Sequence, residues 1–132
     1  MNGNNKYLML LLWMQGGYFF ITGVWPLVHI YSFMVVSGPK YDIWLVKTVG
    51  VLITAISLGL LASAILRKAD VPIMIIAFGS ALGLLFIDVL YVLKNVIAEI
   101  YLADAFAEIL ILISWLVVFW TFRGDKKRYR GF

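Results

Sequence analysis

Three ionisable residues, Lys47, Asp88 and Glu108, lie inside long apolar stretches of the sequence. A charged side chain inside a membrane costs free energy unless it faces a partner or water, so such residues usually mark a functional site. The side chain of Asp88 is too short to reach the membrane surface, whereas the long side chain of Lys47 can extend outward. We therefore expect Asp88 to face the interior of the protein.

These residues allow two kinds of chemistry. Two neighbouring acids can differ in proton affinity and act as an acid–base pair. Alternatively, Lys47 can form a buried salt bridge with the acids, which fixes helix register without adding stability. The sequence does not decide whether Asp88, Glu108 and Lys47 touch, and it identifies no catalytic residue.

Helical spacing of about 100° per residue groups further polar residues with these three. One side of the first helix carries Gln15, Tyr18, Thr22, Pro26 and His29. Lys47 shares a side of the second helix with Gly50, Thr54 and Ser57, and Asp104 shares a side of the fourth with Glu108 and Trp115. The candidate ligand-binding residues are His29, Lys47, Asp88, Tyr91, Asn95, Glu108 and Trp115. The candidate residues at the mouth of the pocket are Lys40, Asp42 and Trp44.

The residue types argue against a metal or cofactor site. The chain has no cysteine and one histidine, His29, so it lacks the usual ligands of zinc and haem. It contains no phosphate-binding loop, dinucleotide fingerprint or nucleophile elbow. We predict neither a metal nor a cofactor.

The overall composition is that of an integral membrane protein. Of the 132 residues, 64% are hydrophobic and 14% are charged, whereas a soluble domain carries about 25% charged residues. The net charge of +4 comes largely from a short basic segment at the C-terminus. The composition therefore indicates a lipid bilayer as the surroundings and excludes a nucleic-acid-binding module.

Four stretches are long enough to cross a membrane, which takes about 20 apolar residues. They cover about residues 7–30, 43–66, 71–93 and 104–122. We predict an all-α, antiparallel four-helix bundle over residues 1–122 and a basic cytoplasmic tail over residues 123–132. The charged turn at residues 67–70 is short, so the second and third helices should form a tight hairpin. Gly79 and Gly83 have the four-residue spacing that favours close helix packing.

The first apolar stretch is too long for one straight crossing. Residues 7–36 would span about 45 Å as a single helix, more than the apolar thickness of a bilayer. Pro26 lacks a backbone donor and clashes with the preceding turn. We therefore expect a kink near Trp25 and Pro26, after which the chain tilts or lies along the membrane interface.

The lysines and arginines predict the orientation, because they concentrate in cytoplasmic loops. With four crossings, the N-terminus, the central turn and the C-terminal tail share one side and hold eight of the eleven basic residues. We therefore predict a multi-pass protein of the plasma (inner) membrane with both termini in the cytoplasm. Five of the seven acids then lie towards the outer face.

Residues 22–50 resemble a segment of small bacterial four-helix membrane proteins of uncharacterised activity. The shared pattern is G-x-W-P, then S-F, then G-P-K-x-D-x-W-L-V, and here it includes Gly23, Trp25, Pro26, Lys40 and Asp42. The layout of the chain is also similar to the DoxX-like and emopamil-binding-related bundles. These resemblances imply a four-helix membrane fold, and they draw attention to the loop that contains Lys40.

The interpretation that best accounts for these residues is binding of a small or amphipathic, lipid-like molecule in a polar pocket that opens outward. One alternative is a membrane enzyme that uses two carboxyl groups on a lipid-like substrate. Another is a non-catalytic subunit or scaffold. The sequence leaves a homo-oligomer open. A channel or transporter is disfavoured, because the polar residues end below Gln15 and Ser57.

The orientation can be tested with fusion reporters. A reporter fused after Phe132 should be cytoplasmic, and one inserted near Gly38 should be external, because the basic residues are divided eight to three between the two sides. Paired alkaline phosphatase and fluorescent-protein fusions at both sites measure this. The reverse signal at either site would invert the assignment of inside and outside.

Overall fold

The computed structural model describes the backbone of residues 3–129 and the side chains of residues 6–121. It contains five helices: α1 (Gly3–Val28), α2 (Ile30–Ser37), α3 (Ile43–Leu66), α4 (Val71–Leu93) and α5 (Tyr101–Tyr129). Four of them are long and apolar enough to cross a membrane, over Lys6–Val28, Ile43–Leu66, Val71–Leu93 and Tyr101–Thr121. The predicted all-α membrane bundle with four spanning helices is confirmed.

The ends of the second and third predicted spans coincide with those of α3 and α4. The last helix differs at both ends. It begins at Tyr101, about one turn before the predicted start, and continues to Tyr129. Most of the predicted basic tail therefore extends α5, and residues 130–132 lie outside the described part of the chain.

The first apolar stretch is broken, as its length predicts. Pro26 lies inside α1, and the helix ends two residues later at Val28. His29 leaves the helical conformation, and its Nδ1 accepts a hydrogen bond from the backbone N–H of Ser32 at 3.1 Å, which caps α2. The indole N–H of Trp25 donates to the hydroxyl of Ser32 at 2.9 Å, so α2 is held against the end of α1.

The packing order of the helices differs from their order in the chain. α1 packs along α3, α4 packs along α5, and α1 also contacts α5. The turn between α3 and α4 is as short as predicted, and the carboxylate of Asp70 caps α4 at the N–H of Ile73. However, α3 and α4 touch at only a few positions. The predicted tight hairpin is wrong, because each helix packs chiefly on a different neighbour.

Glycines bring α1 and α3 into backbone contact. A Cβ added to Gly50 would lie 2.7 Å from the carbonyl oxygen of Gly23, and one added to Gly23 would lie 2.9 Å from the backbone nitrogen of Thr54. By contrast, nothing lies within 4 Å of a Cβ added to Gly79 or Gly83. The predicted packing role of Gly79 and Gly83 is therefore wrong within this chain, since they lie on the exposed face of α4.

The half of the bundle near the chain termini has an apolar core. Buried residues from four helices form it, and they are Leu8, Leu11, Leu12, Phe19, Leu60, Ala64, Ala77, Trp115 and Val118. The apolar character of this half agrees with the prediction, and its cytoplasmic orientation stays a prediction. The polar interior groups lie further towards the opposite end.

The two pairs of glycines provide a matched test. Gly50→Ala should lower the free energy of unfolding by about 1–3 kcal/mol, because the new methyl group overlaps backbone that has no room to move. Gly79→Ala should be neutral or add up to about 1 kcal/mol, because Ala is the better helix former and the space is open. Unfolding by SDS in mixed micelles measures both, and equal losses would contradict the α1–α3 contact.

Candidate functional site

Three carboxyl groups and a phenol come together inside the bundle. Tyr18 comes from α1, Asp88 from α4, and Asp104 and Glu108 from successive turns of α5. Glu108 is fully buried and Asp88 is 5% exposed, whereas Tyr18 and Asp104 are half-buried. We call these four residues the acid cluster. They lie towards the end of the bundle that is opposite the chain termini.

Two contacts within the acid cluster join different helices. The hydroxyl of Tyr18 donates a hydrogen bond to Oδ1 of Asp104, which links α1 to α5. The carboxyl groups of Asp88 on α4 and Asp104 on α5 are neighbours. Ionised carboxylates only accept hydrogen bonds, so two carboxyl groups can bond to each other only when one of them carries a proton.

Three carboxyl oxygens of the acid cluster have no hydrogen-bond partner among the described residues. They are Oδ2 of Asp88 and both Oε1 and Oε2 of Glu108. Buried polar atoms are nearly always hydrogen-bonded, because leaving one unpaired costs about 1–3 kcal/mol, and more if it is charged. These oxygens are therefore the clearest chemical signal in the structure.

The structure does not support the alternative in which Lys47 forms a buried salt bridge with the acids. Lys47 is exposed, while Asp88 and Glu108 are buried. Pro26, near the end of α1, already lies against Gly50 of α3. Lys47 is one turn beyond Gly50, so it has no surface of α1 to pack against.

The other two lysines near this end contact aromatic rings. The Nζ of Lys40 donates to the carbonyl of Ser37 at 3.1 Å and lies 4.9 Å from the ring centre of Tyr101. The Nζ of Lys94 lies 5.9 Å from the ring centre of Tyr91, which is half-buried. Neither contact involves a carboxylate of the acid cluster.

The remaining predicted site residues lie apart from the acid cluster. His29 is exposed and caps α2, and Asn95 is exposed in the left-handed conformation after α4, with φ of 58°. Asp42 and Trp44 are exposed at the start of α3, where Trp44 is 66% accessible.

The two connections at this end of the bundle meet near Lys40, one of the residues predicted to lie at a pocket mouth. A Cβ added to Gly38 would lie 3.6 Å from Cβ of Ala98, so the α2–α3 connection touches the α4–α5 connection. Lys40 joins the same two segments through Tyr101, which lies one turn before Asp104 on α5. Of the three predicted mouth residues, Lys40 is the one that this contact involves.

Trp115 is part of a separate polar contact in the middle of the bundle. Its indole N–H donates to Oε1 of Gln15 at 2.7 Å, and Nε2 of Gln15 donates to the carbonyl of Ala77 at 2.8 Å. Gln15 and Trp115 are both fully buried. Trp115 follows Glu108 by two turns of α5, about 10 Å. The contact between Gln15 and Trp115 therefore lies below the acid cluster, on the side of the chain termini.

Two members of the acid cluster, Tyr18 and Asp104, are missing from the predicted site. The apolar pattern predicts Asp104 as the first residue of the fourth span. In the structure α5 starts at Tyr101, so Asp104 lies one turn inside the helix. The spacing of Tyr18 with Gln15 and Thr22 on one face of α1 was the available signal. For Asp104, the available signal was its spacing of four residues from Glu108, which places both acids on one face of a helix.

Two surface cavities lie near the termini rather than at the acid cluster. One, of about 170 Å³, is lined by Tyr7, Val117, Val118 and Thr121. The other, of about 470 Å³, lies beside the α3–α4 turn and includes Arg67, Asp70 and Met74. Neither contains a residue of the predicted pocket.

The acids are not arranged as a metal site. Within the described residues, no group of three or more His, Asp or Glu side chains is placed to hold a metal ion. Comparison of the chain with protein-family models, curated proteins and solved structures finds no match. The chemistry of the acid cluster is therefore the available guide to its role.

The Gln15–Trp115 contact can be tested by substitution. Trp115→Phe should lower the free energy of unfolding by about 1–3 kcal/mol, because it leaves Oε1 of Gln15 buried without a donor. Trp44→Phe is the matched control and should change it by less than about 0.5 kcal/mol, since Trp44 is exposed. SDS unfolding followed by circular dichroism measures both variants. A Trp115→Phe variant as stable as the control would show that the amide is satisfied in another way.

Proposed function

We propose that this membrane protein binds a small amphipathic molecule at the acid cluster. The observation that carries the proposal is the set of three buried carboxyl oxygens without a hydrogen-bond partner, on Asp88 and Glu108. Intramembrane ionisable groups that face the bundle interior commonly mark substrate or ion sites. A molecule with a hydrogen-bond-donating head group would satisfy these oxygens.

The surroundings of the acid cluster favour a ligand with an apolar part. All four long helices are apolar in sequence, and the buried core next to the cluster consists of aliphatic and aromatic side chains. Gln15 and Trp115 limit the depth of the site from the termini side, because they occupy the bundle centre. A lipid-like molecule with a short polar head suits these boundaries.

The proposal includes the direction in which the site opens. The acid cluster lies at the end of the bundle opposite the termini, and the basic residues favour cytoplasmic termini. The site would then face the outer side of the plasma (inner) membrane. Lys40, at the contact between the two connections of that end, would lie at its mouth.

A purely structural role explains the acids less well. Helix register is already fixed by the Gln15 amide and by the contact between Gly23 and Gly50. Among residues 6–121, Glu108 has no hydrogen-bond partner that would add to this packing.

One observation supports a second candidate, an acid–base enzyme. The carboxyl groups of Asp88 and Asp104 are neighbours, as are carboxyl pairs that share a proton during catalysis. Conversion of a lipid extract by the purified protein, lost in Asp104→Asn and kept in Glu99→Gln, would favour this candidate over simple binding.

Retention of a co-purified molecule tests the binding proposal. Native mass spectrometry of the protein released from nanodiscs should show the same bound molecule in the wild type and in Glu99→Gln, because Glu99 is exposed and outside the acid cluster. Glu108→Gln keeps the shape, removes the carboxylate and should reduce occupancy at least about tenfold, the loss of a charge-assisted hydrogen bond. A folded Glu108→Gln variant with full occupancy would refute binding at this site.

A further inference from the structure

The charges around the acid cluster do not balance within the described residues. α1 contributes Tyr18, α4 contributes Asp88, and α5 contributes Asp104 and Glu108. The titratable residue of α3 is Lys47, which is exposed, and the histidine that caps α2 is also exposed. Lys40 and Lys94, in the two connections at this end, lie over the rings of Tyr101 and Tyr91. The four groups that face one another within the described residues are therefore three acids and a phenol.

Protons can neutralise such a cluster, and the geometry indicates where one lies. The carboxyl groups of Asp88 and Asp104 are neighbours, and a hydrogen bond between them needs one proton. Glu108 is fully buried without a partner, and an isolated ionised carboxylate in that position would be strongly unfavourable. The same negative charge could be neutralised by a cation that enters the site.

We propose that the acid cluster binds the primary ammonium group of a lipophilic amine in exchange for a proton. This inference rests on the function proposed above and specifies its ligand class. In the exchange, the O–H bond of the Glu108 carboxyl group breaks, and its proton leaves to water. The ammonium group stays intact and forms an ion pair with the resulting carboxylate.

The number and type of unpartnered atoms favour a primary ammonium group. It offers three donors on one compact positive charge, and the acid cluster has three unpartnered oxygens, one on Asp88 and two on Glu108. An alcohol offers one donor and no charge, and a quaternary ammonium offers charge without donors. The apolar helices around the site can accommodate the alkyl chain.

Exchange makes amine binding dependent on pH. If one proton leaves for each amine bound, affinity should fall about tenfold for each unit decrease in pH. An uncharged molecule that binds without displacing a proton should show no such dependence. The pH dependence therefore separates exchange from simple hydrogen bonding.

The experiment uses the full chain in phosphatidylcholine nanodiscs and three probes that share a ten-carbon chain: decylamine, decyltrimethylammonium and decanol. Isothermal titration calorimetry in two buffers of different ionisation enthalpy counts the protons released, and empty nanodiscs correct for partitioning into lipid. We expect decylamine to bind most tightly, to release close to one proton and to bind about tenfold more weakly at pH 6.5 than at pH 7.5.

Two variants locate the exchange. Glu108→Gln should abolish proton release and the pH dependence, whereas Glu99→Gln should keep both, because Glu99 is an exposed acid at the same end. Infrared spectra of the ligand-free wild type give a readout that needs no variant. They should show the carbonyl band of a protonated carboxyl group, which decylamine reduces.

The outcomes distinguish the exchange from the underlying binding function. Equal binding of decylamine and decanol without proton release would overturn the exchange and leave the proposed function standing. Absence of binding by all three probes would overturn both. A ligand-free wild type without a protonated carboxyl band would overturn the exchange whatever the probes do.

Discussion

The amide of Gln15 is the interaction on which the arrangement of the helices depends. A buried polar group in a membrane protein must find its partners inside the protein, because lipid offers none. Gln15 satisfies its oxygen at the indole of Trp115 and one N–H at the carbonyl of Ala77, so α1 is fixed to α5 and α4 at one depth. α3 is joined to α1 where Gly23 meets Gly50. α1 is thus the central helix of the bundle.

The same amide separates two interiors of different chemistry. On the side of the termini, the helices meet through aliphatic and aromatic side chains, and lipid-like packing is sufficient there. On the other side lie Asp88, Asp104 and Glu108, which packing alone does not explain. The apolar end can therefore keep the bundle folded while the other end holds the polar groups.

Hydropathy predicted the spans well, because membrane thickness fixes helix length directly, and α3 and α4 have the expected ends. Which faces meet was harder to predict. Small residues promote packing only where another helix lies opposite, which holds for Gly50 and fails for Gly79. Lys47 shares a face with Gly50, yet it is exposed because α1 ends before reaching it. Asp104 lies one turn inside α5, because the helix begins at Tyr101 and Leu102, before the first acid of the predicted span.

The pairwise packing of the helices has a mechanical consequence. α1 with α3 and α4 with α5 form two extensively packed pairs, and the contacts between the pairs are sparser. A rotation of one pair against the other would therefore break less apolar contact than separating the two helices of a pair. The hydrogen bond from Tyr18 of α1 to Asp104 of α5 joins the two pairs. A change in the charge of Asp104 would therefore also change the strength of this hydrogen bond between the two pairs.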